Sequence, residues 1–93
     1  MVRVRYELHF TEAAAATRAR LDDRRRAAFD KGVDILVNDP FNEHSRPAGG
    51  DDTSRSIRVT PSLMVEYIVN RGYVVIVVLR VFDNQDVLLP DAD

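Results

Sequence analysis

The sequence predicts an α+β fold in which a helical hairpin packs on one face of a largely antiparallel four-stranded sheet. Three features of the chain lead to this prediction. Apolar and charged residues alternate near the start, two segments with helical periodicity follow, and three strand-like segments fill the second half. The resulting order is strand, helix, helix, strand, strand, strand (β-α-α-β-β-β). A length of 93 residues fits a single domain spanning positions 1–93.

The first strand is predicted from a period of two. Residues 2–10 place apolar side chains at even positions and charged side chains or histidine at odd positions, as in a strand with one buried face. Thr11 follows as a helix N-cap, and Glu12 lies in the first turn, where the helix dipole favours a carboxylate. The alanine-rich run Ala13–Arg20 then predicts the first helix.

The second helix is predicted over Arg24–Val37, with one of the two aspartates in residues 21–23 as its N-cap. Its apolar residues form a wide stripe, and Asn38–Pro40 ends it because proline cannot continue a helix. Since the link between the helices is short, they are expected to form an antiparallel hairpin. The side chains predicted to face outward are Arg24–Arg26, Asp30 and Asp34.

Residues 40–53 are predicted to form a loop, because they combine proline, glycine and paired aspartates with little apolar content. The three strands that follow are predicted over Ser54–Thr60, Leu63–Val69 and Tyr73–Phe82, separated by short turns. The run Tyr73–Leu79 is apolar on both faces, which indicates a strand inside the sheet and covered by the helices.

Composition excludes several classes of function. The chain has no cysteine, so disulfides and thiol catalysis are excluded. A formal net charge of −2 argues against broad, non-specific binding to nucleic acid. Nearly all of the basic residues are arginines, which favour forked contacts to carboxylate or phosphate. The charged opening does not resemble a signal peptide, and the longest apolar run is too short to span a bilayer, so we expect a cytoplasmic protein without membrane contact.

Several short segments, taken in order along the chain, resemble the RelE/ParE toxin superfamily. Tyr6–Ala14 resembles that family's first strand and alanine-bearing helix, and Ile35–Pro40 resembles the Leu-x-x-Asp-Pro phrase that closes its second helix. Ser56–Val59 followed by Val65–Val69 resembles its Ile-Arg-Val and Tyr-x-Val hairpin, and Val78–Val87 resembles its last strand and tail. The resemblance covers nearly the whole chain.

The resemblance implies the toxin component of a type II toxin–antitoxin system, which inhibits growth and is neutralised by a cognate antitoxin protein. Some toxins of this superfamily cut messenger RNA in the ribosomal A site, and others poison DNA gyrase. Their antitoxins lay a helix against the toxin's helical hairpin or add a strand to its sheet edge. The run Ala13–Ala16 is predicted to be exposed and to offer a shallow apolar surface to such a partner helix.

Departures from the family pattern indicate which branch the chain resembles. In the nuclease branch an arginine usually precedes the hairpin tyrosine by three residues, whereas Met64 occupies that position here. That branch often ends in a tail that is basic or bears histidine and tyrosine, whereas Phe82–Leu88 is acidic and has neither. The resemblance therefore favours a ParE-like or attenuated toxin. The alternatives are a RelE-like, ribosome-dependent mRNA endoribonuclease and a non-toxic binding module of the same fold.

Arg58 and Arg80 are the candidate catalytic residues. RNA cleavage by attack of the 2′-hydroxyl needs a base, an acid and cations around the phosphate. The two arginines could supply the cations if both side chains leave the sheet on the same face. Glu66 is a candidate base, although an ion pair with Arg80 or a solvent-facing position is preferred, and Tyr67 is expected in the core.

No cofactor, metal ion or small-molecule substrate is expected. His9 and His44 are the only histidines and lack the spacing of a metal site, and the chain has no glycine-rich phosphate loop. The arginines at positions 18, 20 and 24–26 form the densest basic cluster. Two aspartates interrupt this cluster, so a solvated helix surface is preferred to a contact with nucleic acid or gyrase.

Overall fold

The computed structural model describes residues 5–48 and 53–84, and there it confirms the predicted α+β fold class. Two helices pack on a mostly antiparallel sheet, to which one short strand is added beyond the predicted four. The elements are β1 (Glu7–Phe10), α1 (Glu12–Arg20), α2 (Asp23–Asn38), β2 (Arg46–Pro47), β3 (Ser54–Thr60), β4 (Leu63–Asn70) and β5 (Val75–Asp83).

The strands lie in the order β1-β5-β4-β3-β2 across the sheet. The strand β1 runs parallel to β5, whereas the other neighbouring strands pair antiparallel. The apolar segment that becomes β5 therefore lies inside the sheet, as predicted. The added strand β2 pairs with β3 through two residues of the predicted loop. So short a pairing leaves no periodic pattern in the sequence.

Both predicted helix caps are present. The Thr11 hydroxyl accepts a hydrogen bond from the Ala14 amide at 3.2 Å, and the Asp22 carboxylate accepts one from the Arg25 amide at 2.8 Å. These caps satisfy amides that have no partner inside the first helical turn. The helix α1 then packs against β5, and α2 packs against β3.

The hydrophobic core lies between the helices and one face of the sheet. Phe29, Val33 and Leu36 of α2 are buried at helical spacing, which confirms the apolar stripe predicted for this helix. Alternate residues of β4 meet them from the sheet side, as a strand with one buried face requires. The other fully or largely buried apolar side chains are Ala14, Leu21, Val37, Ile57, Leu63, Val65, Tyr67, Val69, Ile76, Val78 and Val81.

The predicted start of the last strand was wrong by two residues. Tyr73 belongs to the turn between β4 and β5 and is 82% exposed. The Asn70 side chain accepts a hydrogen bond from the Tyr73 amide at 2.9 Å, and Val74 adopts a φ of 57°. A positive φ is uncommon for a β-branched residue and turns the chain before β5 begins at Val75.

Three parts of the sequence prediction lie outside the described residues. These are residues 2–4 of the predicted first strand, residues 49–52 of the predicted loop, and the acidic tail beyond Asn84.

Candidate functional site

The candidate site lies on the open face, which we define as the face of the sheet directed away from α1 and α2. In β4, Val65 and Tyr67 are buried against the helices, so Met64 and Glu66 point to the opposite side. None of the described helices lies over these two side chains, which are partly exposed. The open face is therefore available to a partner within the described part of the fold.

Strand register places Arg58 and Arg80 on the open face. Arg58 pairs with Met64 across β3 and β4, and Arg80 pairs with Glu66 across β4 and β5. Directly paired residues project to the same face of a sheet, and Met64 and Glu66 are two positions apart on one strand. Both candidate catalytic arginines therefore leave the sheet on the same face, as a shared role in catalysis requires. Their catalytic role stays a prediction.

The two arginines differ in what they contact. The Arg58 guanidinium donates to the Pro61 carbonyl at 2.9 Å and the residue is exposed. The Arg80 Nε lies 3.9 Å from Glu66 Oε1, with 69% of the Arg80 side chain exposed. An ion pair with Arg80 was one of the two arrangements preferred for Glu66, the other being a solvent-facing position. At this separation and exposure the ion pair is a weak interaction that leaves Arg80 free to contact a ligand.

A third arginine, missed by the sequence analysis, joins this face. Arg46 of β2 pairs with Ser56 of β3, which itself pairs with Glu66 of β4. One row of side chains therefore crosses four strands: Arg46, Ser56, Glu66 and Arg80. No local signal marks Arg46, because only its pairing with β3 determines the face to which its side chain points.

Arg46 and Arg58 line a cleft of about 360 Å³ on this side of the sheet, together with His44. His44 is largely exposed, with its Nε2 3.6 Å from a carboxylate oxygen of Glu43. The cleft can bind an anion such as a phosphate, since guanidinium groups make charge-assisted hydrogen bonds to phosphate oxygens. We name Arg46, Arg58 and Arg80 the open-face arginines.

Apolar side chains lie beside these cations. Met64 pairs with Arg58 on one side and with Phe82 on the other, so the three share one row of the open face. Phe82 is 39% exposed, which is unusual for a large apolar side chain in a strand. Aromatic surface next to arginines is the combination that binds unpaired nucleotides, whose bases stack while their phosphates meet the cations.

The basic cluster of the helices is mainly structural, and the prediction that Arg24–Arg26 all face outward was wrong. The Arg25 guanidinium donates two hydrogen bonds to Asp83, at 2.5 and 3.0 Å, and one to Ser62 at 3.1 Å. Only 22% of the Arg25 side chain and 7% of the Asp83 side chain are exposed. This ion pair joins the start of α2 to the end of β5.

Two more of these arginines connect the helices to each other. The Arg26 guanidinium donates to the carbonyls of Arg18, Ala19 and Leu21, at 3.3, 3.0 and 2.5 Å, which stabilises the C-terminus of α1. Arg18 forms a forked contact with Asp30 of α2, at 2.8 and 2.6 Å. The hydrogen bond to Asp30 raises the pKa of Arg18.

A second surface lies where β1 meets the helices, in a groove of about 570 Å³. Leu8, Phe10 and Val33 line its floor, and the ion pairs Arg5–Asp34 and Arg18–Asp30 line its rim. The strand β1 is an edge strand, so one side of its backbone is open to pairing within the described structure.

The alanine surface predicted for a partner helix needs a correction. Ala14 is fully buried in the core, whereas Ala13, Ala15 and Ala16 are exposed, and Ala15 lies at the groove between β1 and the helices. A helix turns its side chains through 100° per residue, so four consecutive alanines cannot all face solvent on a helix that packs against a sheet.

Tyr67 lies in the core, as predicted. Its side chain is fully buried, and its hydroxyl donates to the Pro40 carbonyl at 2.6 Å. Burial raises the pKa of the Tyr67 phenol. The hydroxyl therefore holds residue 40 and the segment after α2 against β4.

The histidines lie apart from each other. His9 is on β1, with its Nε2 3.0 Å from Glu7, and His44 is near β2 at the other edge of the sheet. Within residues 5–48 and 53–84, no three histidine or acidic side chains are grouped closely enough to hold a metal ion. In the same residues, no helix is both long and apolar enough to cross a membrane.

Comparison with solved structures identifies the fold. The toxin–antitoxin complex RelBE from Mycobacterium tuberculosis aligns with a TM-score of 0.73 and 23% identity, over 86% of this chain and 99% of the other. The intact RelBE complex of Escherichia coli aligns with a TM-score of 0.72 and 24% identity, over 84% and 95% of the two chains. A YoeB/ParE toxin from Agrobacterium tumefaciens aligns with a TM-score of 0.68 and 19% identity, over 83% and 96%.

The chain therefore has the RelE/ParE toxin fold, and the resemblance stated from the sequence is confirmed at the level of the fold. No family model matches the sequence, and no curated protein is significantly similar to it. The likeness is thus carried by three-dimensional structure.

Proposed function

We propose that this chain is the toxin of a type II toxin–antitoxin pair and that it contacts its target through the open face. The observation that carries the proposal is the convergence of Arg46, Arg58 and Arg80 on one exposed face of a RelE/ParE fold. Three guanidinium groups lie on β2, β3 and β5, with the Glu66 carboxylate on the strand between β3 and β5, which gives this part of the face a positive potential. A target rich in phosphate fits that potential.

The preferred mode is ParE-like or attenuated, in which the toxin binds its target without cleaving RNA. Proton transfer needs an acid and a base held in position. Glu66 faces Arg80, and His44 is largely exposed at the edge of the cleft, so neither side chain is held rigidly against a reacting atom. Electrostatic binding requires only the open-face arginines, which supports a binding mode.

The second candidate function is a ribosome-dependent endoribonuclease. Its support is the cleft that brings His44 next to Arg46 and Arg58, since an imidazole can accept and donate a proton and arginines stabilise charge on a phosphate. In this mode His44 or Glu66 would take the proton of the 2′-hydroxyl, and the open-face arginines would surround the scissile phosphate.

The proposed partner is a cognate antitoxin that occupies the groove between β1 and the helices. An extended segment can pair with the edge of β1 and place apolar side chains over Leu8, Phe10 and Val33. Both ion pairs at the rim offer polar contacts to the same segment. The proposed location is the cytoplasm, where gyrase and the ribosome are found.

The first experiment is growth of a bacterial host in which the chain is induced. A toxin is expected to arrest growth within the first generations after induction. A chain that accumulates in folded form without slowing growth would contradict the proposal and would leave a non-toxic binding module of the same fold.

The second experiment separates the two modes. Purified toxin is added to translating ribosomes and, separately, to gyrase with supercoiled DNA. The binding mode predicts gyrase-dependent DNA breakage or inhibition without messenger cleavage. Cleavage of messenger RNA within the ribosomal A site would contradict the binding mode. Loss of that cleavage in a His44→Ala or Glu66→Gln variant would support the nuclease mode instead.

A further inference from the structure

Thr11 contacts two consecutive carbonyl groups of the neighbouring strand. Its amide donates to the Val78 carbonyl at 3.0 Å, and its hydroxyl donates to the Leu79 carbonyl at 2.7 Å. The same hydroxyl accepts the Ala14 amide at 3.2 Å as the cap of α1. Thr11 therefore connects the first turn of α1 to a single point on β5.

That point on β5 is irregular. Successive carbonyls of a regular strand point to opposite edges of that strand. One residue of a neighbouring strand therefore cannot donate hydrogen bonds to both of them. The pairing of β4 with β5 shifts at the same place, because Tyr67 pairs with Val78 whereas Glu66 pairs with Arg80. Leu79 is thus the extra residue of a β-bulge.

The bulge decides which way Arg80 points. Ile76 and Val78 are buried against the helices, and without an extra residue the alternation would place position 80 on that buried side too. After the bulge, Val81 takes the buried position, and Arg80 appears on the open face.

We propose that Thr11 is a positioning residue whose hydroxyl holds the Leu79 carbonyl in the bulge and thereby directs Arg80 to the open face. The claim about the bulge is independent of function. The claim that this matters for target binding rests on the proposed function.

Three variants of Thr11 separate its two roles. Thr11→Ser keeps a hydroxyl that can cap α1 and donate to Leu79. Thr11→Asp keeps the capping acceptor, but an ionised carboxylate has no proton to donate. Thr11→Val keeps the shape of the side chain and removes both contacts.

Amide hydrogen exchange in the full chain tests the bulge directly. In Thr11→Asp, the amides of Leu79–Val81 are expected to exchange about tenfold faster, while those of α1 keep their protection. In Thr11→Ser, both groups are expected to exchange as in the wild type. If Leu79–Val81 keep wild-type exchange in Thr11→Asp, or if they and α1 lose protection equally, Thr11 is only a helix cap and the proposal fails. Thr11→Val is expected to lose protection in both regions, and retention at Leu79–Val81 would again overturn the proposal.

Binding of a short single-stranded RNA tests whether Thr11 acts through Arg80. Thr11→Val and Arg80→Ala are each expected to raise the Kd about five- to tenfold, and the double variant is expected to show no further loss. Additive losses would mean that Thr11 acts by general destabilisation, and a Thr11→Val Kd equal to that of the wild type would remove its positioning role. If Arg80→Ala itself leaves the Kd unchanged, the proposed role of the open face fails, and so does the link from Thr11 to binding. The hydrogen-exchange experiment would still decide whether Thr11 holds the bulge.

Discussion

At Gly32, the helix α2 approaches β3 closely. A Cβ at this position would lie 2.7 Å from the Val59 Cβ and 2.9 Å from the Val59 carbonyl oxygen. Backbone atoms of a paired strand cannot move aside without disturbing the strand, so the close approach requires glycine.

Gly32→Ala is therefore expected to lower the free energy of unfolding by about 1–3 kcal/mol. Gly72→Ala is the matched control, because a Cβ there would come only within 3.4 Å of the Asn70 side-chain oxygen. Urea denaturation of both variants checks the prediction. Equal stability of the two would mean that α2 does not pack on β3 at Gly32 as described.

The buried phenol of Tyr67 gives a prediction about pH. Its raised pKa means that the folded chain keeps the proton at a pH where the unfolded chain, with an ordinary pKa of about 10, has begun to release it. The unfolded state then binds fewer protons than the folded state, so the stability contributed by Tyr67 is complete below about pH 10 and decreases as the pH rises further.

Tyr67→Phe is expected to cost about 1 kcal/mol at neutral pH, through loss of the hydrogen bond to Pro40, and to remove this part of the alkaline decrease. Denaturation midpoints of both proteins between about pH 8 and pH 11 measure the effect. Tyr73→Phe, which removes an exposed phenol, is the control and should follow the wild type. A stability difference between wild type and Tyr67→Phe that stays constant over this range would contradict the account.

For single residues, the roles that the sequence predicted are those that depend on neighbours close in the chain. Thr11 was predicted as a cap, and so was one of the two aspartates at positions 22 and 23, because capping depends on positions within one helical turn. Tyr67 was predicted as core from its neighbours at spacing two. Arg25 was misjudged, because its partner Asp83 lies 58 positions away and no periodic pattern connects them.

At the scale of elements, the Arg25–Asp83 ion pair fixes the start of α2 to the end of β5. Its two hydrogen bonds involve charged groups that are mostly shielded from water, where such bonds are stronger than on the surface. The ion pair therefore stabilises the part of β5 that follows Arg80.

Arg25→Ala is expected to lower the free energy of unfolding by about 2–3 kcal/mol. Arg24→Ala removes an exposed arginine from the adjacent position and is expected to change stability by less than about 0.5 kcal/mol. Thermal denaturation of both variants at low and high salt measures the effect. If the two variants lose the same amount, the ion pair does not join the two elements.

The helix α2 and the strand β1 could be predicted because each carries its own hydrophobic period, and α1 could be predicted from its alanine content. The pairing of β2 with β3 could not, since Arg46–Pro47 is too short to show a period. The bulge at Leu79 could not be predicted for a different reason. The sequence is apolar at every position through Leu79, so no alternation marks the break, and only the register with β4 reveals the extra residue.

At the scale of the whole molecule, the helices cover one face of the sheet and leave the other for the open-face arginines. The sequence alone could list Arg58 and Arg80, but the face of each depended on a register that it does not contain. The structure adds Arg46 and relates all three to Glu66 and to Phe82. The net charge of −2 does not show this local group of arginines, because it sums the charged residues of the whole chain.

Whether the open-face arginines carry the activity of the chain can be tested in a growing bacterial host. The most direct measurement is growth arrest on induction, compared between the wild type, Arg58→Ala/Arg80→Ala and Arg20→Ala/Arg24→Ala. The last variant removes the same charge from exposed helical positions. The open-face double variant, folded and present at the wild-type level, is expected no longer to arrest growth, whereas the helical double variant is expected to arrest growth fully. Full arrest by the open-face variant, or equal loss in both, would contradict this expectation.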